Sequence, residues 1–469
     1  MIWRLCVSGS DQEDQTAANN GGDRVFISAF FVGIAAISFG LGAFVVLAEV
    51  PPYQSMKNAW RAGTALWEQR TKYTDVERLD FWAEARTDQT GVTIHDVNRA
   101  QNGLTLYSSG DGPHAVLIDM DGNIVHEWRM PFSMIHDETS PIPNPQKDDF
   151  MHWHTAKMAP DGGLIVQYTA AGDTPYGYGM AKIDQNSNPV WKYLGTAHHD
   201  FSIADDGRVY ALTQEFRFNT YANRKQLTPP RLDDFAVILS PEGKEIKKVS
   251  ILDALINSSY ANMVDFAPYF ANEDILHTNT IQLIDADTAK NFAYGKEGDV
   301  VVSFRDLGII AVLDMDVEKI VWATRGSWLG QHDPDVLPNG DILLFDNQGQ
   351  LADPDAGQSR VLQIDPETNA ITWQYKGTAT HKFDSNIRAD QQRLPNGNTL
   401  ITESSGGRLF EVTPTGDIVW EFHNPIRRDD PDNPDKKLIP VVSQAERITD
   451  ARAALYRDTV PASNTGDAQ

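Results

Sequence analysis

The chain of 469 residues contains a single cysteine, Cys6. An intrachain disulfide is therefore impossible, a zinc–cysteine cluster is excluded, and no thiol nucleophile lies in the globular part. Basic residues are also scarce, with 40 Lys+Arg against 65 Asp+Glu and a formal charge of -25. That balance argues against nucleic acid as the main partner, because phosphate binding needs clustered Lys and Arg. It leaves room for an anion held in a locally positive pocket. No Walker loop and no GxSxG elbow occur, so nucleotide hydrolysis and serine-esterase chemistry have no support. Long amphipathic helices are missing between Gly91 and His423. Apolar residues are not missing: they make up 41% of the chain and aromatics 10%, enough for a sizeable core.

One long hydrophobic run stands near the amino terminus. Val25 to Ala48 carries no charge over 24 residues and would reach roughly 36 Å as a helix, enough to cross a bilayer. It is read as a single membrane anchor; a signal peptide cleaved after Val46-Leu47-Ala48 is the alternative. Arg4 and Arg24 precede it and Lys57 and Arg61 follow, so charge does not set its orientation. Pro51-Pro52 ends the run, and Met56, Trp60, Leu66 and Trp67 then recur at helical spacing. The expected organisation is a tail over 1–24, a transmembrane anchor over 25–48, a helical stalk over 49–90, a β domain over 91–423 and a carboxy-terminal tail over 424–469. The tail is expected to pack outside the domain, with a helical patch around Ala445 to Arg457.

The β domain is read from an internal repeat. An apolar strand, a turn with Asp, Asn or Gly, and a second strand ending in Trp or an equivalent recur as VLIDMDGNIVHEW, AKIDQNSNPVWKY, AVILSPEGKEIKKVSI, IAVLDMDVEKIVWAT, VLQIDPETNAITWQY and LFEVTPTGDIVWEF. A strand unit precedes each: NGLTLYSS, APDGGLIVQYT, ADDGRVYALTQE, EGDVVVSFR, LPNGDILLFDN and LPNGNTLITES. Spacings of about 50–70 residues suit four-stranded blades. The fold expected is all-β, a six-bladed β-propeller behind an N-terminal transmembrane helix; two β-sandwiches are the alternative. Residues from Phe81 to Asp96 are expected to close the ring. Trp322, Trp373 and Trp420 fall at equivalent blade positions and read as packing residues.

Histidines cluster just before the innermost strand of successive blades, the position that faces a propeller's channel. His154 precedes APDGG, His198 and His199 precede ADDGR, His277 begins HTNTIQLID, His332 lies in GQHDPDVLPNG, and His381 precedes DSNIRADQQRLPNG. Ring symmetry would converge them. Neutral imidazoles could ligate a transition metal, or one could be a nucleophile while others donate to an oxyanion. Arg305, ending the strand VVVSFR, favours an anionic ester whose charge is neutralised in the transition state. Its alternative is a structural pair with Asp306. Asp333 and Asp335 read as a solvated turn, and Trp153 and Tyr168 as candidates for stacking on a phenyl ring.

The segments HDFSIADDGRVYALT, HTNTIQLID, SFR and GQHDPDVLPNGDILLFDN, in that order on successive blades, resemble the bacterial arylsulfate sulfotransferases. The resemblance spans roughly His154 to Trp420. It implies a six-bladed propeller that moves a sulfuryl group from a phenolic sulfate to a phenol without phosphoadenosine phosphosulfate and with no cofactor or metal. Residue by residue it implies that His332 becomes sulfated, that His199 and His277 support it, and that Arg305 binds sulfate; His154 and His381 are candidate substrate contacts. It also implies a propeller on the periplasmic or extracytoplasmic side of a single-pass anchor. Two departures stand out: a polar insertion, DADTAKNFAYGKEG, between His277 and Arg305, and the anchor where periplasmic family enzymes can carry an extra β-domain and a disulfide. A non-catalytic binding propeller and a histidine-ligated metal enzyme are the competing readings.

Overall fold

Each repeat owes its outer hairpin to a side chain that ties its own turn. Asp119 Oδ1 accepts from the backbone N–H groups of Asp121 and Asn123, both at 2.9 Å. Asp184 Oδ1 does the same for Asn186 and Asn188 at 2.8 Å. Asp314 and Asp365 cap the corresponding turns, and the Ser240 and Thr413 hydroxyls take over in the other two. Short polar side chains that mimic a backbone turn are the reason Asp, Ser and Thr recur there. The inner turns of the second and fifth repeats rest on Gly162 and Gly340, whose φ of 85° and 89° a larger residue would adopt only with strain.

The computed structural model describes residues 13–48, 50–53, 56, 81–221, 224, 227, 229–267, 274–350 and 355–456. Two units result, 1–74 and 75–469. In the first, a helix runs over Glu13–Leu47. Its stretch Val25–Leu47 is long and apolar enough to cross a membrane by length and composition, a test that a signal sequence passes equally. Residues 57–80 of the expected stalk lie outside the described residues.

The second unit is mostly antiparallel β-structure. The first sheet comprises Ala445–Ile448, Leu104–Ser108, His114–Ile118 and Ile124–Arg129. The second comprises Met151–Met158, Leu164–Ala170, Gly177–Ile183 and Pro189–Tyr193, and the third Ala197–Ile203, Val209–Arg217, Arg231–Leu239 and Glu245–Ser250. Thr278–Leu283, Val300–Phe304, Ile309–Asp314 and Lys319–Arg325 make the fourth; His332–Val336, Ile342–Asp346, Arg360–Ile364 and Ile371–Lys376 make the fifth. The sixth adds Gly91–His95 outside Asp390–Arg393, Thr399–Glu403, Arg408–Val412 and Ile418–His423. Each sheet packs against the first strand of the next, and the first strand of the sixth touches that of the first. Core side chains fill the gaps between sheets. Trp420 is fully buried and donates from Nε1 to Met120 O at 2.9 Å, while Trp373 donates to Pro414 O at 2.9 Å. These tryptophans couple adjacent sheets.

The termini differ from expectation. Gly91–His95 does join strands from the far end of the chain, but as a fifth, outermost strand beside Ile418–His423. The inner strand of the first sheet instead comes from the expected tail: Ala445–Ile448 pairs with Leu104–Ser108. Local sequence there favours helix, yet the open edge of Leu104–Ser108 offers hydrogen bonds that outweigh a weak propensity. Arg447 seals the pairing; its buried guanidinium donates to Thr105 Oγ1 at 2.8 Å and meets Glu411 at 3.1 Å. Among the described residues of that patch, helix survives only over Ala451–Ala454. Trp82–Glu84, expected within the stalk helix, is a strand paired with Lys437–Pro440 in a small satellite sheet.

Candidate active site

The innermost strands do not run regularly into their sheets. Register shifts fall between Trp153 and Thr155, between Ala197 and Phe201, between Thr278 and Thr280, and between His332 and Asp335. His199, His277 and Asp333 sit at φ of 58°, 46° and 51°. Bulges re-aim side chains, and left-handed backbone at non-glycine residues persists only where the surroundings impose it. Here the irregularities recur at one level of successive sheets and turn the histidines toward a shared space.

His199 lies at the centre of a tight group. Its ring centroid is 5.3 Å from that of His154, 5.1 Å from His277 and 5.1 Å from His198. Tyr176, on the loop between Leu164–Ala170 and Gly177–Ile183, places its hydroxyl 3.4 Å from His199 Nδ1 and stacks its ring on that of His277 at 6.1 Å. Carboxylates stand behind: Asp274 Oδ2 is 2.6 Å from His277 Nδ1, and Asp234 Oδ1 is 3.4 Å from His198 Nε2. His198 Nδ1 in turn lies 2.8 Å from His199 Nδ1.

His332 is almost wholly buried, and its neighbours decide its tautomer. Asn347 donates both Nδ2 hydrogens, to Ser385 O at 2.8 Å and Arg388 O at 2.7 Å. Carbonyls only accept, so the amide must present Oδ1 to His332 Nδ1, 2.8 Å away. Gly330 O, 3.0 Å from the same nitrogen, is a second acceptor. The proton therefore resides on Nδ1 and the lone pair on Nε2. The same logic places the proton of His154 on Nδ1, which lies 2.9 Å from His199 O.

Burial and the neighbouring positive or potentially positive groups keep His332, His154 and His199 neutral. The pKa of His332 falls to about 3 through burial and then through the charge of Arg305. That of His154 falls to about 3 through burial, Arg388 and His332. His199 lies well below the usual value through burial and the surrounding histidines. Arg305 is half-buried and donates from Nε to Asp306 Oδ1 at 2.8 Å. The structural pair is thus present, and it leaves both Nη groups unpaired among the described residues.

A cavity of about 1210 Å³ has His154, His199 and His332 in its wall and is lined by the first strands of all six sheets. Its wall includes Lys157, Asp200, Asp333, Asp335 and Asp390. Asp333 and Asp335 are therefore not in a solvated turn. Burial pushes the Asp335 carboxyl well above its usual value, and burial with Asp390 does so for Asp333. Gln391 donates to Asp333 Oδ2 from its backbone N at 3.1 Å and from Nε2 at 2.9 Å, so the carboxylate locks the fifth sheet to the sixth. Among the described residues no group of three or more His, Cys, Asp or Glu is arranged to hold a metal ion.

Of the residues expected from sequence, His154, His199, His277, His332 and Arg305 come together. His381 does not: it lies exposed in a turn bridged to Thr378, its Nδ1 3.2 Å from Thr380 Oγ1. Its offset of nine residues from Asp390, the start of the strand, carries it outward, and Arg388 takes the inner position. Trp153 and Tyr168 are fully buried core residues 6.1 Å apart and cannot stack on a ligand. Sequence reasoning missed Tyr176, Asp274, Asp234 and Asn347. Only Asn347 had a signal, as the end of the FDN strand.

The family described as Arylsulfotransferase (ASST) matches residues 155–425. Comparison with curated proteins gave no match. Among solved structures, a protein of unknown function from Bacteroides caccae is 13% identical, with 75% of this chain and 100% of that chain covered and a TM-score of 0.46. A catalytically inactive variant of virginiamycin B lyase from Staphylococcus aureus with quinupristin is 12% identical over 58% of this chain and 69% of its own, TM-score 0.33. The WD40 β-propeller domain of Doa1 is 11% identical over 68% and 76%, TM-score 0.35.

Proposed function

The chain belongs to the arylsulfotransferase family, and from that premise we propose that it transfers a sulfuryl group from a phenolic sulfate ester to a phenol through a sulfohistidine at His332, without phosphoadenosine phosphosulfate. The scaffold is a six-bladed propeller in this reading, supported by the cyclic succession of sheet contacts. The observation that carries the mechanism is the His332 tautomer: a neutral imidazole with its Nε2 lone pair free and Arg305 within electrostatic reach.

His332 Nε2 attacks sulfur, the N–S bond forms and the S–O bond to the aryl group breaks. Sulfuryl transfer resembles phosphoryl transfer in its loose transition state, so positioning and charge stabilisation dominate. Arg305, His199 and His277 hold the sulfuryl oxygens, with His154 at the edge. The leaving phenolate takes its proton from Nε2 of His277, whose Nδ1 faces the Asp274 carboxylate 2.6 Å away. In the second half-reaction an acceptor phenol returns that proton to His277 and takes the sulfuryl group from His332. Two half-reactions through one covalent intermediate give ping-pong kinetics. The N-terminal helix serves as a single-pass anchor, with the propeller on the extracytoplasmic side.

The test mixes the protein with p-nitrophenyl sulfate, with and without phenol, and follows nitrophenolate. Acceptor-dependent release, with 35S from labelled donor retained on His332 when acceptor is withheld, is expected. Full release by a folded His332→Asn protein would overturn the assignment.

A further inference from the structure

His198 has no part in the transfer, yet it lies fully buried behind His199. Its Nδ1 is 2.8 Å from His199 Nδ1, so one of these two nitrogens must donate and the other accept. Its Nε2 is 3.4 Å from Oδ1 of Asp234, which is also buried. That carboxylate is fixed from the other side, where Oδ2 accepts from Thr278 N at 2.7 Å. Asp234 belongs to the third sheet and Thr278 to the fourth, so the contact spans the join between them.

The direction of the bond between the two histidines fixes what His199 offers to a substrate. A carboxylate only accepts, so a neutral His198 keeps its proton on Nε2, toward Asp234. Its Nδ1 lone pair then accepts from His199 Nδ1, and His199 is left with a bare lone pair at Nε2. Such a ring repels a sulfuryl oxygen. One further proton, taken at His199 Nε2, reverses the chain. The Nδ1 proton of His199 passes to His198 Nδ1, both His198 nitrogens donate, and His199 stays neutral with its N–H at Nε2. Neutral His199 agrees with the burial and surrounding histidines that hold its pKa well below the usual value. The Tyr176 hydroxyl, 3.4 Å from His199 Nδ1, can donate or accept and follows either form. The groups around His198 are Asp234 from the third sheet, Asp274 ahead of the fourth, His199 beside it, and Tyr176 and His154 from the second.

Charge that develops on oxygen is held by donors aimed at it. We propose that His198 is a positioning residue: with Asp234 it keeps the proton that makes His199 Nε2 a hydrogen-bond donor, so that the oxyanion and a proton bind together. This rests on the sulfuryl-transfer reading above, and the experiment separates the two.

Binding of inorganic sulfate to the full chain is followed by calorimetry at about pH 8, above the ordinary histidine value of about 6.5. Buffers of different ionisation heat count the protons taken up. Uptake in Asp234→Asn is expected to fall by about one proton per sulfate. The amide donates to His198 Nε2 and sends the His198 proton to Nδ1, which makes His199 Nε2 a donor without an added proton. In the same variant the alkaline limb of log kcat/KM for p-nitrophenyl sulfate should lose about one unit of slope. His198→Asn cannot titrate, should lose the same uptake, and supplies the comparison if the Asp234 variant fails to fold. Equal proton uptake in the unmodified protein and the variants would overturn the proposal, as would absence of sulfate binding by the folded protein. Weaker binding with an unchanged proton count, which a merely structural role gives, would overturn it too. If no nitrophenolate is released, the transfer reading fails, and proton uptake with sulfate that depends on Asp234 would still establish the role of His198.

Discussion

The two levels of the central cavity are built from the same strands yet have opposite chemistry. On one side stand His154, His199 and His332, with His277 beside His199 and Arg305 within electrostatic reach of His332; on the other stand Asp200, Asp333, Asp335 and Asp390 around Lys157. Consecutive residues His332 and Asp333 contribute one to each, because the irregular backbone at Asp333 turns their side chains apart. Burial acts on both levels in the direction that removes charge. It drives His332 and His154 down to about 3 and raises Asp390 to about 6. His332, His154 and Asp390 thus tend toward neutrality by one cause with two signs. The lesson is that the positive potential of the reacting level comes from arginine, whose charge burial scarcely removes, while the histidines remain available as bases and nucleophiles.

The sharpest way to break the comparison is at the shared strand. His332→Asn should lower transfer by about 10⁴-fold or more, the scale for losing a covalent nucleophile, with the far-ultraviolet spectrum unchanged. Activity within a few-fold of the unmodified protein would mean that the histidine level does no covalent chemistry. Next in size, Arg305→Gln should cost about 10²- to 10³-fold in kcat, as removal of a preorganised oxyanion donor does; a change confined to KM would place Arg305 in ground-state binding alone. Asn347→Ala should cost on the order of 10-fold, because Gly330 O still accepts from Nδ1 while the ring loses its rigid stop. Asn347→Asp should instead raise the basicity of His332 and move the acid limb of the rate profile upward in pH.

The smallest effect separates the levels by acid stability. His332 and His154 have folded values below the ordinary 6.5, so the unfolded chain takes up more protons as pH falls from about 6.5 toward 3, and stability falls with it. Asp390 has a folded value of about 6 against an ordinary 3.8, so its contribution is present at low pH and lost as pH rises through about 6. Denaturation midpoints between pH 4 and 6.5 should therefore fall more steeply with acid in Asp390→Asn and less steeply in His332→Asn. Equal slopes in the two variants would show that the rings do not titrate independently.

Part of this arrangement was legible beforehand. The turn chemistry of Asp119, Asp184, Asp314 and Asp365 is local, so the hairpins repeat visibly along the chain. Once the repeat is seen, equivalence alone brings His199, His277 and His332 to one level, and a tryptophan at a repeated position, such as Trp420, is recognisable as packing. His381 shows where that inference fails: the register of the sixth sheet's entrance is decided by Asn347 and Asp333 from the fifth, not by the spacing around the histidine itself.

Local residue chemistry, then, dictated the strands, their turns and the kind of groups that gather at the axis, since alternation and side-chain-capped turns act within a few residues of the chain. The pairing of Ala445–Ile448 with Leu104–Ser108, the proton on His332 Nδ1 and the approach of Tyr176 to His199 were decided only by tertiary structure. They depend on contacts between different elements, in the strand pairing across more than 300 positions, and on burial, which shifts protonation by removing water and has no counterpart in a linear string of residues.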